Sequence, residues 1–222
     1  MSGYDPSSAM GDLLVWGRCE PRFAPVKAAF ETNLVVGDDL GATIAVFHNG
    51  RSVVDIGGGL KIDGSPYSTS TLQLLYSVTK ALTTVCLMEL AQDGRVRLDA
   101  AVAEYWPEFA QNGKGRWTVR EMLGHKAGLV GFDVPADIEW LSDWDRVVRQ
   151  LAAQAPCWPL GNGHGYHALT YGYLAGEIIR RCAGKSVGTL LRERFAEPLG
   201  VDLFIGLPPE HEGRVTPHLD AP

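Results

Sequence analysis

What the chain lacks narrows its chemistry first. Its four cysteines, Cys19, Cys86, Cys157 and Cys182, show no CxxC spacing, so neither a zinc ribbon nor a thioredoxin-type redox pair is encoded; they read as reduced structural thiols. Cations are in deficit, with Lys and Arg at 20 against Asp and Glu at 26 for a net charge of -6. No basic stripe or nucleic-acid motif accompanies them, which argues against nucleic acid as a partner. No apolar run approaches membrane-spanning length, and the first eleven residues are small and polar, without a basic segment leading into an apolar one. A cytoplasmic location without membrane attachment is the expectation. Repeats and low-complexity segments are missing too. What remains is a 222-residue chain, 45% hydrophobic, able to bury a core as one domain or two small lobes.

Strand signals are also scarce. Residues 41–48 are rich in Val, Ile and Phe, Asn49-Gly50 is a two-residue hairpin signal, and residues 51–56 return. A lone hairpin is marginal in water. The sheet should therefore contain more, with at most one further short strand near residues 203–205. Gly57-Gly58-Gly59 is expected to end the second strand, and the edge across 41–56 to invite self-association. Most of the rest reads as helix and loop. Residues 25–33 form a first helix; residues 78–92 form a helix apolar around most of its circumference, hence central and buried, closed by Gly94. Thr118-Val119-Arg120-Glu121 is a capping box, Ser142 or Asp143 caps residues 144–154, a long helix spans 168–182 before Gly184, and Ser186 caps another to 196.

The chemistry-bearing motif is Ser77-Val78-Thr79-Lys80 at the start of the 78–92 helix. Positions 77 and 80 lie one turn apart on one face, so the amine can swing back to the hydroxyl oxygen. The helix N-terminus also favours the alkoxide that forms during attack. The bland alternative is a capping serine and a solvated lysine, and local physics does not separate the two. Gly184-Lys185-Ser186-Val187-Gly188 satisfies the nucleophile-elbow pattern, but an elbow follows a strand and here a helix precedes it, so Gly184 and Ser186 read as caps. His164 and His167 have no third ligand in fixed relation and do not make a metal site; they are placed at the rim beside Tyr166. Trp106, Trp140, Trp144 and Trp158 read as core or lid packing, with residues 133–145 a candidate loop over an acyl pocket.

Three strings in order, Leu75-Tyr76-Ser77-Val78-Thr79-Lys80, Thr118-Val119-Arg120-Glu121-Met122-Leu123-Gly124-His125-Lys126-Ala127-Gly128-Leu129 and Gly165-Tyr166-His167-Ala168-Leu169-Thr170-Tyr171-Gly172, together resemble the serine beta-lactamase-like family. They are most similar to its cytoplasmic esterase branch, related to class C beta-lactamases and D-alanyl-D-alanine carboxypeptidases. The resemblance runs from about residue 30 to 208. It implies an α/β fold of the α+β type, an antiparallel sheet with flanking helices plus a helical lobe, the sheet incomplete in this chain. Residues 1–65 would form the first part of the sheet lobe, 66–185 the helical lobe and 186–222 the return to the sheet.

The same resemblance implies Ser77 as acylated nucleophile, Lys80 as its proton-accepting neighbour and Tyr166 as the phenol that passes the proton to the leaving group. A cation beside a phenol lowers its pKa from about 10, so a phenolate can serve as base. His164, His167 and Trp158 are the expected substrate-binding residues. No cofactor and no metal is implied, and the partner is a small ester or lactone. Two departures stand out. Tyr166-His167-Ala168 lacks the amide that the lactamase branch carries at its third position, which favours esters over beta-lactam or D-alanyl peptide substrates. The family's third motif, on a C-terminal strand that also supplies an oxyanion-hole N–H, has no counterpart: His48-Asn49-Gly50 and His211-Glu212-Gly213 match its pattern only by accident. The chain thus reads as truncated, and a rival reading from another class is an impaired fragment that binds without catalysing.

Overall fold

The computed structural model describes residues 15–37 and 39–218; the polar stretch of the first eleven residues lies outside them. Contacts divide the chain into two units, residues 1–74 with 208–222, and 75–207.

In the first unit a three-stranded antiparallel sheet has the order β1-β3-β2, from β1 (Trp16–Cys19), β2 (Gly41–His48) and β3 (Arg51–Gly59). The helix α1 (Ala24–Val36) and the apolar face of β3 enclose a small core around Val53, Val54 and Ile56. The hairpin turn forms as expected, with Asn49 at φ 50° and Gly50 at φ 73°, the left-handed pair a type I′ turn requires. Two expectations are corrected. Gly57-Gly58-Gly59 does not end the strand but continues it, because Gly57 leaves room for the Trp16 indole: a Cβ there would lie 2.3 Å from a ring carbon. The strand that contributes this tryptophan, β1, carries Gly17 and Arg18 and gave no strand signal. It pairs with β3 along its whole length, so the open edge expected across 41–56 is confined to β2. Likewise residues 203–205 form no strand; the short pieces β4 (Leu72–Gln73) and β5 (Val215–Thr216) pair in parallel instead.

The second unit is helical: α2 (Val78–Gln92), α3 (Val102–Tyr105), α4 (Val119–Leu123), α5 (Ile138–Ser142), α6 (Trp144–Ala153), α7 (Thr170–Ala183), α8 (Val187–Leu191) and α9 (Glu197–Leu199). Its starts are chemically marked. Thr118 and Glu121 form the reciprocal capping box, and Asp143 and Ser186 accept from the backbone N–H groups of Arg146 and Thr189. Gly184 closes α7 in the left-handed conformation, φ 67°, which excludes the nucleophile-elbow reading of this segment. Leu87, Leu90, Trp106, Phe109, Trp117 and Ile178 are fully buried in one continuous core. Trp140 is buried as well, its ring 4.9 Å from that of Phe132, so the 133–145 stretch is anchored in this core. The helix α2 is not buried all round: Cys86, Leu87 and Leu90 face the core, whereas Val78, Ala81, Val85 and Met88 form an exposed stripe. An all-apolar helix reads the same in sequence whether one face or two are covered, so the apolar pattern does not by itself place both faces in a core. Among the described residues no helix is long and apolar enough to cross a membrane.

Candidate active site

Tyr76, immediately before α2, adopts φ 43°. An aromatic residue rarely occupies that left-handed region, at a cost of order 1–3 kcal/mol. The chain turns sharply there and enters the helix with Ser77 as its N-cap residue, whose side chain makes no capping bond. The hydroxyl is engaged elsewhere. Lys80 Nζ donates to Ser77 Oγ at 3.1 Å and to the Ala168 carbonyl at 2.8 Å. The Tyr166 hydroxyl donates to the same Ser77 oxygen at 2.6 Å. Lys80 Nζ also lies 4.8 Å from the centroid of the Tyr166 ring. The structure thus brings together the three residues singled out as Ser77, Lys80 and Tyr166, the last from 89 positions away.

Tyr166 is half exposed. Its phenol is held below the ordinary tyrosine value, first by the hydrogen bond with Ser77, then by that with Lys80, with the lysine charge adding to both. The environment therefore favours the phenolate, the form able to accept a proton.

The loop that carries Tyr166 is built on glycine. Gly163 and Gly165 lie under the Trp158 indole, so close that a Cβ on either would stand 2.5 or 2.7 Å from its ring carbons, and the indole N–H is tied to the Lys126 carbonyl at 3.0 Å. Trp158, expected to bind substrate, is half buried and braces this loop. His164 is exposed, its ring 6.1 Å from that of His125. His167 departs most from expectation: it is fully buried and cannot line an open rim. Its Nε2 accepts from the Leu129 N–H at 3.2 Å and its Nδ1 faces the Gly165 carbonyl at 2.7 Å, a network that assigns the proton to Nδ1. Tyr166 and its neighbour alternate outward and inward, and the sequence gives no sign of which does which.

Burial lowers the His167 pKa from 6.5 to about 4, and nearby His125 and His164 add to the effect against the raising bond to Gly165. The folded state therefore binds the proton more weakly than the unfolded chain. Stability is complete above pH 6.5 and falls as pH drops toward about 4, by roughly 3 kcal/mol from this residue. Urea unfolding midpoints measured across that window are expected to decline, and His167→Gln to remove this component; a decline of equal size in the variant would assign it elsewhere.

Two residues of the site were not singled out from sequence. His125 packs its ring against Tyr166 and Tyr171, centroids 5.0 and 5.1 Å away. Tyr171, buried beneath, shares a 2.6 Å hydrogen bond with Thr84, whose hydroxyl also engages the Lys80 carbonyl. His125 stands inside the second matching string, and that was the available signal. Among the described residues no three His, Cys, Asp or Glu side chains gather as a metal site requires.

Comparison with known proteins places the chain in a family. The family model described as Beta-lactamase matches residues 28–221. The chain is 38% identical over 200 residues to Esterase/beta-lactamase LipL of Mycobacterium tuberculosis, covering 88% of this chain and 46% of that protein. A penicillin-binding protein homolog from Caulobacter crescentus superposes with a TM-score of 0.89 at 45% identity, covering 93% of this chain and 56% of that one. A family VIII carboxylesterase does so with a TM-score of 0.88 at 38% identity, covering 93% and 58%. The chain spans about half the length of these relatives. With an α/β architecture of antiparallel sheet, flanking helices and helical lobe, and the family match running through nearly all of its length, this chain belongs to the beta-lactamase family of serine hydrolases and esterases.

Proposed function

We propose that the protein hydrolyses carboxylic esters or lactones through an acyl-enzyme on Ser77. The observation that carries this reading is the convergence of Tyr166 OH and Lys80 Nζ on one serine oxygen, at 2.6 and 3.1 Å. In the forward step the Tyr166 phenolate takes the Ser77 proton as Oγ bonds to the carbonyl carbon. The tetrahedral oxyanion is met by the Ser77 backbone N–H; the second donor that the resemblance implies has no counterpart in this chain. Collapse breaks the bond to the leaving alkoxide, which receives the proton from the Tyr166 phenol, and water releases the acyl group by the reverse path. Lys80 holds the phenolate and fixes both oxygens by charge-assisted hydrogen bonds.

The preference for esters over beta-lactams rests on Ala168. Where the lactamase branch carries an amide side chain, this chain presents only a methyl group, and Ala168 contributes its backbone carbonyl to Lys80 instead. A substrate amide would find no side-chain partner at that point.

A fluorophosphonate probe tests the reading directly. Labelling is expected on the wild type and not on Ser77→Ala, with short-chain nitrophenyl esters turned over and no stable penicillin adduct. Equal labelling of both proteins, or none on folded protein, would reduce the chain to a binding module of hydrolase ancestry.

A further inference from the structure

The proton-sharing trio depends on where Tyr166 stands, and one residue grips the chain on both sides of it. The Gly165 N–H donates to the His125 carbonyl at 3.1 Å. The His167 N–H donates to His125 Nδ1 at 3.1 Å. Between these two bonds the Tyr166 ring packs on the His125 imidazole, centroids 5.0 Å apart at 49°. His125 is itself fixed in the left-handed region, φ 61°. We propose that His125 is a positioning residue for Tyr166: it clasps the backbone before and after the tyrosine and supports its ring, thereby setting the phenol against Ser77.

The clasp needs a neutral imidazole whose Nδ1 carries a lone pair. A protonated ring has an N–H at both positions and cannot accept from His167. The groups that face the ring are His164, His167, Tyr166, Tyr171 and Lys80. Burial, reinforced by the charges of His164 and Lys80, holds the His125 pKa below the usual 6.5, so the clasp is closed at neutral pH and opens as pH falls through that lowered value.

This inference rests on the proposed role of Tyr166, and its test separates the two. Asparagine tolerates the left-handed conformation and places an amide oxygen close to where Nδ1 stands; leucine does neither, and glutamine carries its oxygen one bond too far. Two readouts are taken on the full chain: the rate of fluorophosphonate labelling at Ser77, and the ultraviolet tyrosinate titration of Tyr166, isolated by subtracting the Tyr166→Phe profile. His125→Leu is expected to label about 10–100-fold more slowly and to return the Tyr166 titration to the ordinary range near 10. His125→Asn should keep most of both, and should lose the part of the acid-side decline in labelling that follows His125, leaving the part that follows protonation of the Tyr166 phenolate. If His125→Leu does not fold, His125→Gln provides the same comparison. A folded Leu or Gln variant with wild-type labelling and wild-type Tyr166 titration overturns the proposal. If the wild type itself fails to label while the Tyr166 titration still moves in the variants, the hydrolase reading falls and the positioning role stands.

Discussion

Tyr166→Phe is expected to slow acylation of Ser77 by about 10²–10⁴-fold, the span typical of removing a general acid-base group. The substitution takes away one oxygen from a half-exposed ring, so the fold should be unaffected and the loss should fall on kcat rather than KM. Lys80→Met is expected to cost a similar factor, since Lys80 contacts the Ser77 oxygen and the Ala168 carbonyl and flanks the phenol. The double variant should be little worse than either single one, because groups that share one proton act as a unit and their effects do not add. Pre-steady-state acylation with a nitrophenyl ester measures all three. Losses that multiply in the double variant would mean that the amine and the phenol act in separate steps, and a rate within a few-fold of wild type for Tyr166→Phe would remove the phenol from the mechanism.

The largest stability effect is expected at Glu177, a fully buried carboxylate in α7. It accepts from the Trp144 indole N–H at 2.9 Å, from Arg180 at 2.7 and 2.8 Å, and from Arg181 at 2.6 Å. Gly176 makes this possible: a Cβ there would stand 2.6 Å from a Trp144 ring carbon, so only glycine lets the indole lie on α7 beside the carboxylate. Burial by itself would raise the Glu177 pKa, but the bonds from Arg180, Trp144 and Arg181 outweigh it and hold the group below the usual value. Its contribution is therefore present above the unfolded carboxylate range and lost as pH falls through the lowered folded value.

Glu177→Ala strands the indole donor and takes from two partly exposed guanidinium groups their buried partner. Removing one partner of a buried ion pair costs about 3–5 kcal/mol. The lower end applies here, since Arg180 and Arg181 are partly exposed and also reach Asp145 and Glu108 at 3.6 and 2.9 Å. Glu177→Gln retains an acceptor for Trp144 and should cost less. Urea midpoints of the three proteins decide it: no change in Glu177→Ala would mean that the arginines and the indole find water or other partners without loss.

Features written within a few residues of each other were legible in the sequence. The hairpin at Asn49-Gly50, the capping box of Thr118 and Glu121, the caps at Asp143, Gly184 and Ser186, and the bounds of α2 follow from local backbone and side-chain preferences. So does the pairing of Ser77 with Lys80, which one helical turn enforces. Features decided by contacts between distant segments were not. The strand β1 has no strand composition and exists because it pairs with β3. Tyr166 and His167 are adjacent and both aromatic, yet one is half exposed against the Ser77 oxygen and the other is fully buried.

The sequence by itself determined that Ser77 and Lys80 stand one turn apart, the helix that presents them, and the family to which the motifs belong. Only the tertiary structure decided that the Tyr166 phenol meets Ser77, that His125 holds it there, and which side of α2 stays open to solvent. Local preferences act over a turn or two of chain, whereas the approach of a loop 89 residues away is set by packing and by buried hydrogen bonds. Those depend on the whole folded unit rather than on any one segment of it.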